Sequence, residues 1–218
     1  MASRLHIAAI DERPLAEVHY LNAAPRGGTV VERLPIARAA VGELPGDLDA
    51  IIACSDLQGI VPGRDGLATL LGVAVAETLE ELACGGALPP AMRTGIVLAG
   101  DLYSVPEANK RGGHGDVAEV WAAFAERFAW VVGVAGNHDD VSGIAGLAPN
   151  VHLLDGNVVE LDEVRIGGVG GIIGNKASSG DGPRTHSSRS SAAPSARGST
   201  CSCCTRGRMA TMTSTATR

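Results

Sequence analysis

The sequence predicts an α/β fold, and three observations carry that prediction. Short apolar runs alternate with stretches whose apolar residues recur at helical spacing. Three of the runs stop at turns that hold glycine beside a carboxylate, an amide or an imidazole. Amino-acid usage then changes abruptly after Gly174, which confines the fold to residues 1–174.

Strands are expected at 5–10, 29–34, 50–54, 94–99, 130–135 and 150–154, each a short apolar run. A hairpin follows, 158–161 with 164–168, turning at Asp162-Glu163. Leu67, Leu70, Leu71, Ala74, Leu79 and Leu82 are spaced as one helical face, and Gly85-Gly86 ends that helix. Val117, Val120, Trp121, Phe124 and Phe128 mark a second helix, with Asp116 and Glu119 in a capping-box pattern. Its aromatics share one face, so they belong to the core and not to a base-stacking platform.

Of the 218 residues 45% are apolar, 3% aromatic and 19% charged, with a net charge of −6. This excludes collagen-like, disulfide-dense and strongly basic nucleic-acid-binding proteins. No run approaches the roughly 20 apolar residues of a membrane span. MASRLHIAAIDERP lacks the long apolar region of a signal peptide, so a cytoplasmic location with no membrane partner is expected. The net charge joins two unlike regions. Residues 175–218 hold seven basic residues against one acid, and residues 1–174 hold 11 against 23. The tail has no Leu, Ile, Val or aromatic residue, so it is expected to be a disordered low-complexity segment. Its Ala, Arg, Ser, Gly, Pro, Thr and Cys vocabulary is what a shifted frame of a GC-rich gene would produce. Cys201, Cys203 and Cys204 are too crowded for a zinc site, and Cys54 and Cys84 read as reduced core thiols.

Chemistry gathers at three strand ends. Residues 51–55 run into Asp56-Leu57-Gln58-Gly59, 96–99 into Gly100-Asp101, and 131–135 into Gly136-Asn137-His138-Asp139. Ligands of open α/β sheets bind at the carboxyl edge of the strands. Two carboxylates, amide oxygens and an imidazole meeting there make an oxygen- and nitrogen-rich divalent metal site. The loop 111–116, with His114, is a surface loop that could border it. His152 reads as structural. Gly167–Gly174 lacks the following helix that a dinucleotide fingerprint needs.

In order and context, Asp56-x-Gln58, Gly100-Asp101 and Gly136-Asn137-His138-Asp139 resemble the first three blocks of the calcineurin-like metallophosphoesterases, over residues 48–174. The resemblance implies an α/β/β/α sandwich, incomplete at its C-terminal side, and metal-dependent hydrolysis of a small phosphomonoester or phosphodiester. It implies two divalent ions drawn from Mn, Fe, Zn and Mg. Asp56 and Gln58 would serve the first, Asp101 would bridge, and Asn137 would hold the second. His138 would protonate the leaving oxygen, with Asp139 orienting it. Gln58 stands where the family has His, which predicts a looser first ion site, and the family's later His blocks have no counterpart after Gly174, which predicts an incomplete second ion site and impaired turnover. Two other readings stay open: an inactive remnant that acts as a weak metal- or phosphate-binding or interaction module, and an unrelated α/β nucleotide-binding module. No specific nucleic-acid partner is expected.

Overall fold

Residues 6–63, 67–110, 113–171 and 209–214 are described by a computed structural model. In chain order the strands are β1 (Ile7–Ile10), β2 (Ala16–Ala23), β3 (Thr29–Val41), β4 (Ala50–Cys54), β5 (Ile60–Pro62), β6 (Ala68–Leu70), β7 (Thr94–Leu98), β8 (Gly115–Asp116), β9 (Trp130–Gly133), β10 (Asp139–Asp140), β11 (Val151–Leu153), β12 (Asn157–Leu161), β13 (Val164–Gly168) and β14 (Met209–Ser214). The helices are α1 (Leu71–Cys84) and α2 (Ala118–Ala125), and Ala91–Arg93 form a single 3₁₀ turn. The protein is a mixed α/β fold with parallel and antiparallel pairing.

Ten of the described strands form one sheet in the order β11-β9-β7-β4-β14-β3-β2-β5-β6, with β1 paired to β3. β4, β7, β9 and β11 are mutually parallel, with Ile52 opposite Ile96 and Ile96 opposite Val131. Their near-continuous apolar runs are what a strand covered on both faces requires. Alternation sends Ile52, Cys54, Ile96, Leu98 and Val131 toward the helices. Ile51, Trp130 and Val132 face the other way, into a cluster covered by Val159, Leu161, Val164 and Ile166 of the β12–β13 hairpin. The layers are therefore helices, sheet and hairpin.

The helices meet at Gly72, where a Cβ would collide with Val120, so a larger residue there would force α1 and α2 apart. Leu71, Val75, Ala76 and Leu79 form the buried face of α1. Phe124 and Phe128 stack in tilted fashion with ring centroids 6.1 Å apart. Burying such a side chain contributes about 1.5–3 kcal/mol. α1 ends where expected, with Gly86 at φ 74 and Ala87 donating to Leu82 O. It starts later than its apolar spacing suggests, because Leu70 closes β6 and Leu67 is exposed. The capping box expected at α2 does not form: Val117 is the N-cap residue, without a side-chain cap bond, and Asp116 lies one residue earlier, accepting the Ala118 N–H at 2.8 Å.

Two expectations are corrected. Cys54 is a core thiol, pushed up to about 12 by burial, but Cys84 is exposed because it falls off the 71-75-79 face of α1. The tail is not structureless throughout. β14 lies parallel to β3, from Met209 opposite Ile36 to Ser214 opposite Val41, and antiparallel to β4. The open backbone edges of β3 and β4 satisfy its N–H and C=O groups, and Thr at 211 and 213 suits a strand. Composition weighs side-chain burial alone and misses that. Residues 175–208 and 215–218, with the three tail cysteines and His186, lie outside the described residues.

Candidate active site at the carboxyl edge of the parallel strands

The three motif-bearing turns follow β4, β7 and β9, which are neighbours in the sheet. The ladder continues past the strand ends. Ala99 N donates to Cys54 O at 2.8 Å, Asp56 N to Gly100 O at 3.1 Å, and Val134 N to Leu98 O at 2.9 Å. Asp56 (φ 53), Gly100 (φ 83) and Asp101 (φ 57) all take the left-handed conformation at these exits. For Asp56 and Asp101 that conformation costs of order 1 kcal/mol each, and such strain clusters at functional sites.

Glycine permits the closeness of the second and third turns. A Cβ at Gly100 would lie 2.6 Å from Gly136 N, and one at Gly136 would overlap the backbone nitrogen and carboxylate of Asp101. His138 N donates to Asp101 Oδ1 at 3.4 Å. Burial first, then the charges of Asp139 and Asp56, raises the Asp101 carboxyl above the ordinary carboxylate range, against the lowering effects of the His138 N–H and imidazole. Asp56, Asp101, His138 and Asp139 thus share one electrostatic environment.

Asp139 does not orient the His138 ring. Asp139 is only 6% exposed, and backbone N–H groups occupy both of its carboxylate oxygens. Leu102 N and Tyr103 N donate to Oδ1 at 2.7 and 3.1 Å, and Gly136 N donates to Oδ2 at 2.9 Å. A buried carboxylate needs such partners. Here they make it a clamp between the turns after β7 and β9. The His138 ring finds another partner, since its Nδ1 lies 2.6 Å from Gly113 O. A carbonyl can only accept, so Nδ1 carries the proton in that bond and Nε2 remains for other work.

The first turn is fixed differently. Leu57 is fully buried between exposed Asp56 and half-buried Gln58. Gly59 lies so close under the Tyr20 ring that no side chain would fit. Among the described residues, no hydrogen bond ties Gln58 or exposed Asn137 to the other site residues.

Gly113 and Tyr103 carried no catalytic signal in the sequence. The nearest hint was the glycine-rich loop around His114, which does border the site. β8 pairs with β10, Gly115 opposite Asp139. His114 is exposed there, and its charge helps Ser142 hold the Asp140 carboxyl below its ordinary range, Ser142 having the larger effect. His152 sits on β11, away from the three turns. Among the described residues, no group of three His, Cys, Asp or Glu side chains is placed so that it could hold a metal ion. Searches of family models, curated proteins and solved structures find no match to this chain. Function must be read from the site itself.

Proposed function

We propose that this edge is the active site of a metal-dependent phosphoesterase acting on a small phosphomonoester or phosphodiester. The supporting observation is the convergence of Asp56, Asp101 and His138 on three adjacent turns, the second and third of them clamped together by the buried Asp139 carboxylate. The helix, sheet and hairpin layers are compatible with part of an α/β/β/α sandwich, the hairpin standing where a second sheet would pack.

The donor set fits hard divalent cations. Asp56 and Asp101 offer carboxylates, Gln58 and Asn137 offer amide oxygens, and such oxygen-rich sets suit Mg²⁺ or Mn²⁺. The crowding of negative charge on Asp101 is a further sign of fit, because a cation would offset it. Asp56, Gln58 and Asp101 would hold one ion, with Asp101 and Asn137 holding a second. Bound metal would supply a water of lowered pKa and neutralise charge on the phosphoryl oxygens.

His138 completes the chemistry. In its charged form both ring nitrogens carry protons, Nδ1 being held by Gly113 O. The Nε2 proton passes to the leaving oxygen as the P–O bond breaks, and the neutral Nδ1–H tautomer remains, still bonded to Gly113. Asp139 acts at one remove by holding the turns that carry Asp101 and His138.

A second reading, a non-catalytic module that binds metal or phosphate weakly, is favoured by one feature: Gln58 offers a neutral amide oxygen where the resembled family has an imidazole. Hydrolysis of bis(p-nitrophenyl) phosphate by the full chain with Mn²⁺ separates the two. The enzyme reading expects metal-dependent turnover, abolished by EDTA and by Asp101→Ala. Mn²⁺ binding with no turnover at any metal concentration would establish the second reading instead.

A further inference from the structure

We infer that Tyr103 is the residue that positions the His138 imidazole, acting through the backbone of Gly113 and Gly115. The structural part of this inference stands alone, and its catalytic consequence rests on the phosphoesterase reading.

His138 is gripped by the 113–115 segment at two points. Its Nδ1 meets Gly113 O at 2.6 Å, and its own carbonyl accepts the Gly115 N–H at 3.2 Å. Both glycines lie against the Tyr103 ring. A Cβ on Gly113 would come within 2.9 Å of Tyr103 Cε1 and 2.7 Å of Val105 Cγ1. A Cβ on Gly115 would fall on Cε2 and Cζ, along the other side of the same ring. The ring is therefore the spacer on which both glycines rest. Tyr103 is itself anchored, because its N–H donates to the buried Asp139 carboxylate and its half-buried ring packs against the core.

Two functions meet in one residue. The amide of Tyr103 fixes the turn after β7 to the turn after β9, and its ring sets where the Gly113 carbonyl stands. That carbonyl decides which nitrogen of His138 keeps its proton. Glycine backbones have no side chain to hold them in place. Without the ring, Gly113 and Gly115 relax into the vacated space and the Nδ1 bond is lost. Among the described residues the Tyr103 hydroxyl makes no hydrogen bond, so Phe should serve as well as Tyr.

The test uses the full chain, with two-bond ¹H–¹⁵N correlation spectra of the metal-free protein. The His138 signals are assigned by their disappearance in His138→Gln. The neutral ring of the wild type and of Tyr103→Phe should show Nδ1 protonated and Nε2 bare. In Tyr103→Ala, and in the milder Tyr103→Leu if the alanine variant does not fold, the Nε2–H form should take over. With Mn²⁺, Tyr103→Leu should lose about 10²-fold in kcat on an alkyl phosphoester with KM little changed. The loss should be smaller with a p-nitrophenyl ester, whose leaving group needs no proton. An unchanged tautomer in Tyr103→Leu, or a Tyr103→Phe variant as altered as Tyr103→Leu, overturns the inference. Absence of turnover in the wild type would sink the phosphoesterase reading and leave the tautomer result to decide this one.

Discussion

The two halves of the sheet obey different rules. β4, β7 and β9 are buried along nearly every position, while β1 and the first residues of β3 are exposed. The parallel half is covered by helices on one face and by the hairpin on the other, so apart from Thr94 at the start of β7 the strands β4, β7 and β9 bring in polar groups mainly where they stop. Carboxylates, amides and imidazole are therefore concentrated at one edge. The antiparallel half spreads its polar groups along its length, as in the ion pairs Arg33–Glu17 at 3.6 Å and Arg38–Asp11 at 2.8 Å. Stability and chemistry are products of the same burial, one along the strands and the other at their ends.

The sharpest way to break this comparison is to shorten one apolar side chain in each half. Phe124→Ala, at a fully buried position beneath the parallel strands, should cost about 3–5 kcal/mol in urea unfolding. Val31→Ala, 64% exposed on β3, should change stability by no more than about 0.5 kcal/mol. Equal costs would show that the helices do not single out the parallel half. Asp139→Ala comes next. It strands three backbone N–H donors and should cost about 3 kcal/mol, with turnover lost as the two turns separate. An Asp139→Ala protein of wild-type stability would remove the clamp from the explanation.

β14 tests where the halves join. Its amides at Thr211 and Met212 should exchange slowly with deuterium, at rates like those of the β4 residues opposite them. Exchange at free-chain rates would return these residues to the unstructured tail that their composition implies. The smallest effect lies at the amino edge. Arg93 meets Asp49 at 2.6 and 3.0 Å, and its hydrogen bond holds the Asp49 carboxyl below the ordinary carboxylate range. A lowered pKa means stabilisation that is present above the unfolded-state value and disappears as pH falls through the folded one. Asp49→Asn should therefore lower Tm slightly at neutral pH, and the gap from wild type should close in strong acid. A gap that widens in acid contradicts the assignment.

Much of this architecture was legible from residue order. β4 and the Asp162-Glu163 hairpin turn are where apolar runs and their interruption place them, and both turn residues take positive φ (46 and 62), as a tight hairpin demands. The expected strand at 29–34 is only the first half of β3. Pro35 masked its continuation, since proline argues against a strand interior. It stands one residue before the pairing with β14 begins. β2 went unseen because its sequence, AEVHYLNA, mixes polar and apolar residues along a strand of the less covered half. At the site, the strand-end residues could be named because glycine and polar groups interrupt apolar runs there. The roles of Asp139, Gly113 and Tyr103 could not. They depend on contacts between turns some 36 residues apart, for which no local spacing leaves a trace.

One paired measurement bears most directly on the claim that the chemistry belongs to the carboxyl edge. Mn²⁺-dependent hydrolysis of an alkyl phosphoester is compared in His138→Ala and His152→Ala, the second histidine lying on β11 beside the cavity at the amino edge. The expected result is a loss of about 10²-fold or more in kcat for His138→Ala, the range for a missing general acid, with wild-type turnover in His152→Ala. Equal activity in both variants, or a larger loss in His152→Ala, would contradict it.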